Sequence, residues 1–143
     1  GIRDVSDSRW LGDVYKRQLV EAHLDILFAN ADEIMSLYQC SFLEPALEKL
    51  EQRCDLAAIT IGEKGSILIS NGNRIHIDPF IYGKAVDTTG AGDLYAGGFL
   101  KGLADGLKPE VSAKIGSICA GQIVTQLGSR SNIDLLSLIN SHL

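Results

Sequence analysis

The sequence predicts an α/β layered domain with an appended β-hairpin. Three observations carry that expectation. LDILFAN (residues 24–30) and LAAITIG (residues 56–62) are compact apolar runs of strand length, the pattern of strands buried on both faces. Stretches with apolar residues at helical spacing alternate with them. SILIS (residues 66–70) and RIHID (residues 74–78) flank Asn71-Gly72-Asn73, a strong signal for a tight hairpin turn.

Taken in order, residues 19–24 read as the tail of a helix and 24–30 as the first buried strand. A short helix follows over 32–39, then a second with Leu43, Leu47 and Leu50 on one face. After the strand at 56–62, Gly62-Glu63-Lys64-Gly65 reads as a turn into the hairpin. An irregular stretch begins after Pro79, with a short extended segment at 84–87. A long helix spans about 91–104 and stops at Asp105-Gly106. Pro109 is suited to the first position of the next helix, which runs to about 127. A last helix covers roughly 134–139, and there is no internal repeat.

The 143 residues have the length of one domain, which buries roughly two-thirds of its unfolded surface. A composition of 45% hydrophobic and 22% charged residues excludes disordered, collagen-like and coiled-coil classes. No apolar run approaches the ~20 residues of a transmembrane helix, so no membrane partner is expected. The net charge of −5, the pI of about 5.1 and the lack of a basic stripe argue against nucleic acid as a partner. They do not argue against a phosphate ligand, which backbone N–H groups can hold. Cys40, Cys54 and Cys119 are odd in number and form no CxxC pair. They read as small buried residues of a reducing, cytoplasmic compartment, with a reactive thiol as the alternative. His23, His76 and His142 lack metal-ligand spacing.

Residues 1–18, GIRDVSDSRWLGDVYKRQ, differ from the rest. They hold the only tryptophan and show no sustained helix or strand period. They lack the apolar core of a secretory signal. The stretch resembles translated linker sequence and is read as a non-native leader, leaving 19–143 for the fold.

The chemistry concentrates in Asp87-Thr88-Thr89-Gly90-Ala91-Gly92-Asp93, followed by LYAGGFL. Gly90, Ala91 and Gly92 are small, so a ligand can approach the main chain closely. They stand at the expected N-terminus of the long helix, where unpaired N–H groups favour an anion or charge developing on a phosphoryl group. Asp93 in the first turn could be a helix-end charge worth ~0.3–1 kcal/mol. Beside an anion site, a carboxylate is better explained as a base for an attacking hydroxyl. Gly97, Gly98 and Gly102 within the same helix imply close packing against a neighbour.

This run resembles the second signature of the PfkB/ribokinase family of carbohydrate and nucleoside kinases, an Asp-Thr-x-Gly-Ala-Gly-Asp box leading into an aromatic residue and Gly-Gly-Phe. Asn30-Ala31-Asp32-Glu33 resembles the family's Asn-x-x-Glu motif at a strand end. Thr60-Ile61-Gly62-Glu63-Lys64-Gly65 resembles its nucleotide-binding strand and turn, and Gln126-Leu127-Gly128 the end of its closing helix. The likeness covers residues 19–143 and leans toward the adenosine-kinase-like and sugar-kinase branch.

The resemblance implies a three-layer α/β/α ribokinase-like fold, of which this chain would be the C-terminal half. It also implies an ATP-dependent phosphotransferase acting on a hydroxyl of a sugar or nucleoside. Asp93 would be the general base, and the N–H groups of Gly90, Ala91 and Gly92 the anion hole. Asn30 and Glu33 would help place Mg²⁺ and phosphate, largely through water. Thr60, Gly62 and Gly65 would line the ATP site, with Lys64 a weaker candidate. Asp87 and Thr89 match positions that in some members help hold a monovalent cation such as K⁺. Taken alone, Asn30 and Glu33 also fit a helix-cap pair, Gly62 and Gly65 a plain turn, and Asp87 a loop cap. Family members are about twice this long, and the missing half usually provides most acceptor contacts. The fragment by itself is therefore expected to be inactive. A nucleotide-binding or assembly module without catalysis is the alternative. A Rossmann-type oxidoreductase is disfavoured, because no GxGxxG follows the first strand.

Overall fold

The computed structural model describes residues 2–4, 26–81, 83, 90–123 and 139–141. The two apolar runs set the sheet. β2 (Ile26–Asn30) and β3 (Leu56–Thr60) pair in parallel, with Leu27 opposite Ala57 and Asn30 opposite Thr60. Each is buried at three successive positions, which is why neither run alternates. Parallel neighbours need a crossover, supplied here by α1 (Ala31–Leu37) and α2 (Leu43–Glu51). Leu27, Ala29, Ala57 and Ile59 pack with Ile34 and Leu37 of α1 and Leu47 and Leu50 of α2.

β4 (Ser66–Ser70) and β5 (Asn73–Ile77) match the expected hairpin. The sheet has five strands in the order β1-β2-β3-β4-β5, with β1 (Ile2–Asp4) parallel to β2. The turn from β3 to β4 is too short for a parallel crossover, so β4 returns antiparallel. Beyond the strand ends, the Asn71 N–H donates to the Asp55 carbonyl at 2.8 Å. Asn71 (φ 49°) and Gly72 (φ 80°) both adopt the left-handed region that a type I′ turn requires. Arg74 on β5 donates to Glu51 and to both oxygens of Glu44 (2.6 and 2.8 Å), tying the hairpin to α2. Those carboxylates, Glu51 first, hold the guanidinium more firmly protonated than usual. Residues 2–4 form a strand although residues 1–18 show no strand period; pairing at a sheet edge uses backbone groups that any sequence carries.

The chain divides into two compact units, Gly1–Ile61 with Ile67–Ile75, and Gly62–Ser66 with His76–Leu143. The second is built on α3 (Ala91–Ala104) and α4 (Pro109–Ile123). The buried stripe of α3 is Tyr95, Gly98, Phe99 and Gly102, at helical spacing. A Cβ on Gly98 would lie 2.9 Å from Cys119 Sγ, and one on Gly102 would lie 2.6 Å from Ser112 Oγ. These glycines let the two helices meet closely. Gly97 does not share this role: it is exposed, with nothing within 4 Å of an added Cβ. The close-packing expectation therefore holds for two of the three glycines.

Leu107 N–H donates to Gly102 O and Gly106 N–H to Leu103 O, closing α3 where Asp105-Gly106 predicts its end. Ser117 of α4 donates to the Asp78 carbonyl at 3.1 Å and accepts from the Phe80 N–H at 3.2 Å, anchoring the segment after β5. The expected helix at 19–24 and extended segment at 84–87 lie outside the described residues. So do residues 134–138 of the expected last helix; residues 139–141 are helical.

Candidate functional site

In the first unit, Asn30 and Thr60 stand opposite one another at the carboxyl ends of adjacent parallel strands. That edge is where open α/β sheets place ligands. Asn30 also caps α1. Its Oδ1 accepts from the Glu33 N–H at 2.8 Å, and Glu33 Oε1 accepts from the Asn30 N–H at 3.2 Å. This is a reciprocal capping box, so the cap reading of the pair is realised in the structure. Two donors at this helix end are satisfied from within, and Asp32 and Glu33 make its first turn acidic.

The second unit holds the two glycine-bearing segments. Residues Gly62–Lys64 form one 3-10 turn, closed by the Gly65 N–H donating to the Gly62 carbonyl. Gly65 has φ 101°, and a Cβ there would lie 2.1 Å from the Ile77 carbonyl oxygen. No other residue fits that position. Lys64 is exposed, and its carbonyl oxygen lies 2.7 Å from His76 Nε2.

Gly90 begins α3 with φ 79° and ψ 0°, a conformation open to glycine at little cost. Gly90 itself supplies no side-chain cap. The first intrahelical bond runs from the Leu94 N–H to the Gly90 carbonyl at 3.0 Å. The N–H groups of Ala91, Gly92 and Asp93 precede it and have no intrahelical acceptor. Nothing lies within 4 Å of the position a Gly92 Cβ would take, and the Asp93 side chain is exposed. A 14-residue helix thus starts with three donors that lack an intrahelical acceptor, its positive dipole end and one exposed carboxylate.

Two residues from Asp93, Tyr95 points the other way. Its hydroxyl lies 2.8 Å from Ser66 Oγ in a buried pair, and its ring stacks on Phe99 with centroids 6.4 Å apart. Burial pushes its pKa up, and the Ser66 bond offsets this only in part. Sequence reasoning missed this link: an aromatic residue in an apolar stripe and a serine at a strand start carry no joint signal. Asp87 and Thr89, the expected cation ligands, lie outside the described residues. Among the described residues, no three His, Cys, Asp or Glu side chains gather into a metal-binding group. Nor, among them, is any helix long and apolar enough to cross a membrane.

Known proteins resemble the whole arrangement. The pattern of pfkB family carbohydrate kinases matches residues 1–135. A nucleoside kinase of Methanocaldococcus jannaschii is 32% identical over 120 residues, covering 82% of this chain and 39% of the relative. The crystal structure of adenosine kinase from Sinorhizobium meliloti superposes with a TM-score of 0.91 at 34% identity, covering 99% of this chain and 44% of that one. Aminoimidazole riboside kinase from Salmonella enterica, solved with its riboside and an ATP analogue, superposes at 0.78 with 25% identity, covering 96% of this chain and 51% of that one. The chain spans less than half the length of the curated relatives it matches. The fold is ribokinase-like and partial, and with the family pattern running through both the Asn30 and the Gly90 helix ends, the chain belongs to the pfkB family of carbohydrate kinases.

Proposed function

We propose that this chain carries the phosphoryl-transfer end of an ATP-dependent kinase acting on a sugar or nucleoside hydroxyl. The observation that carries the reading is the start of α3: an uncapped, glycine-initiated helix with Asp93 exposed in its first turn. Asp93 takes the proton of the acceptor hydroxyl. The freed oxygen bonds to the γ-phosphorus as the bond to the β,γ-bridging oxygen breaks, and ADP leaves. The N–H groups of Gly90, Ala91 and Gly92, with that of Asp93 beside them, precede the first intrahelical bond and receive the charge on the transferring group, as an anion hole should. Residues Thr60, Gly62 and Gly65 line the nucleotide, with Lys64 at the exposed margin. The likeness to kinases of adenosine and of a riboside favours a nucleoside or sugar acceptor.

Mg²⁺ typically takes one or two carboxylates, waters and substrate phosphates rather than a protein cage. Glu33, in the first turn of α1, offers one such carboxylate. Asn30 and Glu33, already bonded to each other, would help to hold the ion and phosphates through water, and the ion would supply charge neutralisation for the transfer. Asp87 and Thr89 are the candidates for a K⁺ site. The compartment proposed is the cytoplasm.

Positioning supplies most of the catalysis in phosphoryl transfer. The 143-residue chain alone is therefore proposed to bind nucleotide but to turn over little. A kinase assay with adenosine and ribose tests this, and robust turnover by the chain alone would refute it. A nucleotide-binding or assembly module is the second reading, favoured only by the chain's partial coverage of its relatives. Asp93→Asn in the complete kinase separates the two. Lost turnover with intact ATP binding supports the base, whereas equal turnover removes Asp93 from the chemistry.

A further inference from the structure

The hydroxyls of Tyr95 and Ser66 form a buried bond between residues 29 apart in sequence. Ser66 is 0% exposed and Tyr95 3%. Each stands beside a segment already singled out. Ser66 directly follows the Gly62–Gly65 turn and opens β4. Tyr95 lies two residues past Asp93 in α3.

The surroundings of the bond are tightly constrained. A Cβ on Gly116 would lie 2.7 Å from the Tyr95 carbonyl oxygen and 3.3 Å from its ring, so α4 presses on the residue from behind. Phe99 stacks on it from the next turn. Gly65, next to Ser66, is closed in by the Ile77 carbonyl and the Pro79 nitrogen. A phenylalanine at 95 would fill the same apolar space. The hydroxyl therefore adds direction more than packing.

Helix geometry gives that direction a consequence. Two residues are about 200° of rotation around a helix. Fixing Tyr95 inward turns Asp93 outward, and Asp93 is exposed. The first turn of α3, to which Gly90 contributes no side-chain cap, is thereby located from Tyr95 in the turn that follows.

We propose that the Tyr95–Ser66 hydrogen bond is a positioning device that sets the rotation of the first turn of α3 against the Gly62–Gly65 turn, so that the Ala91–Asp93 donors and the nucleotide turn address one ligand together. The proposal rests on the phosphoryl-site reading above, and its test keeps the two apart.

The test is a double-mutant cycle on the 143-residue chain with Tyr95→Phe, Ser66→Ala and both, read by calorimetric binding of the non-hydrolysable analogue AMP-PNP with Mg²⁺. Each single variant should weaken binding about 3- to 10-fold, the equivalent of one neutral hydrogen bond. The double variant should be no worse than either, because both remove one link. Ser66→Thr keeps a hydroxyl and should restore most of the affinity. A merely structural bond would couple in thermal midpoint and leave the dissociation constant unchanged, and that result overturns the proposal.

Hydrogen exchange of peptides covering residues 90–95 reads the same device without ligand. Tyr95→Phe should speed exchange there severalfold and leave residues 109–123 unchanged. If the unmodified chain fails to bind AMP-PNP, the phosphoryl-site reading falls, and the positioning role is then judged on exchange alone. Unchanged exchange at 90–95 overturns it.

Discussion

Helices α1 and α3 begin with the same spacing and end with opposite chemistry. Each has alanine at its first position and a carboxylate at its third, Ala31 and Glu33 in one, Ala91 and Asp93 in the other. The difference lies at the cap. Asn30 supplies a side chain that bonds the Glu33 N–H, and Glu33 returns a bond to the Asn30 N–H. Gly90 has no side chain to offer and turns through φ 79°. One helix start is closed on itself, and α1 has only 7 residues behind it. The other is left open at the head of 14 residues. The glycine at the N-cap, more than the acidic residue three positions on, is what separates the two helix starts.

The strongest way to break this contrast is at the two carboxylates. Asp93→Asn in the complete kinase should lower turnover about 100- to 10,000-fold, the range of a lost general base, with ATP affinity unchanged. Glu33→Gln, measured alongside by steady-state kinetics, keeps the bond from the Asn30 N–H and should act on the affinity for Mg²⁺-nucleotide, lowering turnover less than Asp93→Asn. Equal losses from both would end the distinction.

Next in size is the cap glycine. Gly90→Ala forces a Cβ into the left-handed region and should cost about 1–2 kcal/mol in urea unfolding. It should weaken AMP-PNP binding as well, because the bare donors move. A variant with unchanged stability would show that Gly90 is not held in that conformation.

Asn30 sharpens the other side. Asn30→Ala should cost about 1 kcal/mol, whereas Asn30→Ser should retain most of the cap. If Asn30 also places Mg²⁺ and phosphate, Asn30→Ser should weaken Mg²⁺-nucleotide binding while the chain stays stable. Unchanged affinity would leave Asn30 a cap alone.

The smallest effect is in pH dependence. Burial raises the pKa of Tyr95 above its ordinary 10.0 and that of Cys119 above 9.0. The folded chain then holds these protons after the unfolded chain has released them, so stability falls as pH rises. The contribution is complete below about pH 9 and is lost in two stages, from pH 9 for Cys119 and from pH 10 for Tyr95. Thermal midpoints between pH 8 and 11 should show this decline. Tyr95→Phe should flatten its upper part, and Cys119→Ala its lower part.

Much of this fold was legible in advance because its signals are local. Leu43, Leu47 and Leu50 announced the buried face of α2, and Asn71-Gly72 announced a turn needing two positive φ angles. The box ending at Asp93 located the open helix start by small residues alone. Other parts were not legible. Gly97, Gly98 and Gly102 look alike in the chain, yet only the last two meet α4. Asn30 and Glu33 fitted both a cap and a ligand site, and geometry realises the cap.

Within residues 26–81 and 90–123, the sequence by itself located the strands, helices and hairpin turn to within a few positions, because period, cap chemistry and glycine conformations act over a few residues. It also carried the proposal that the chemistry gathers at glycine-initiated backbone rather than at a basic surface. Only the tertiary structure decided that Asn30 stands level with Thr60, that Tyr95 reaches Ser66, and that Asp93 faces outward. Those facts depend on strand register and on the rotation of packed helices. Register and rotation are set by contacts between residues far apart in the chain, which no local pattern records.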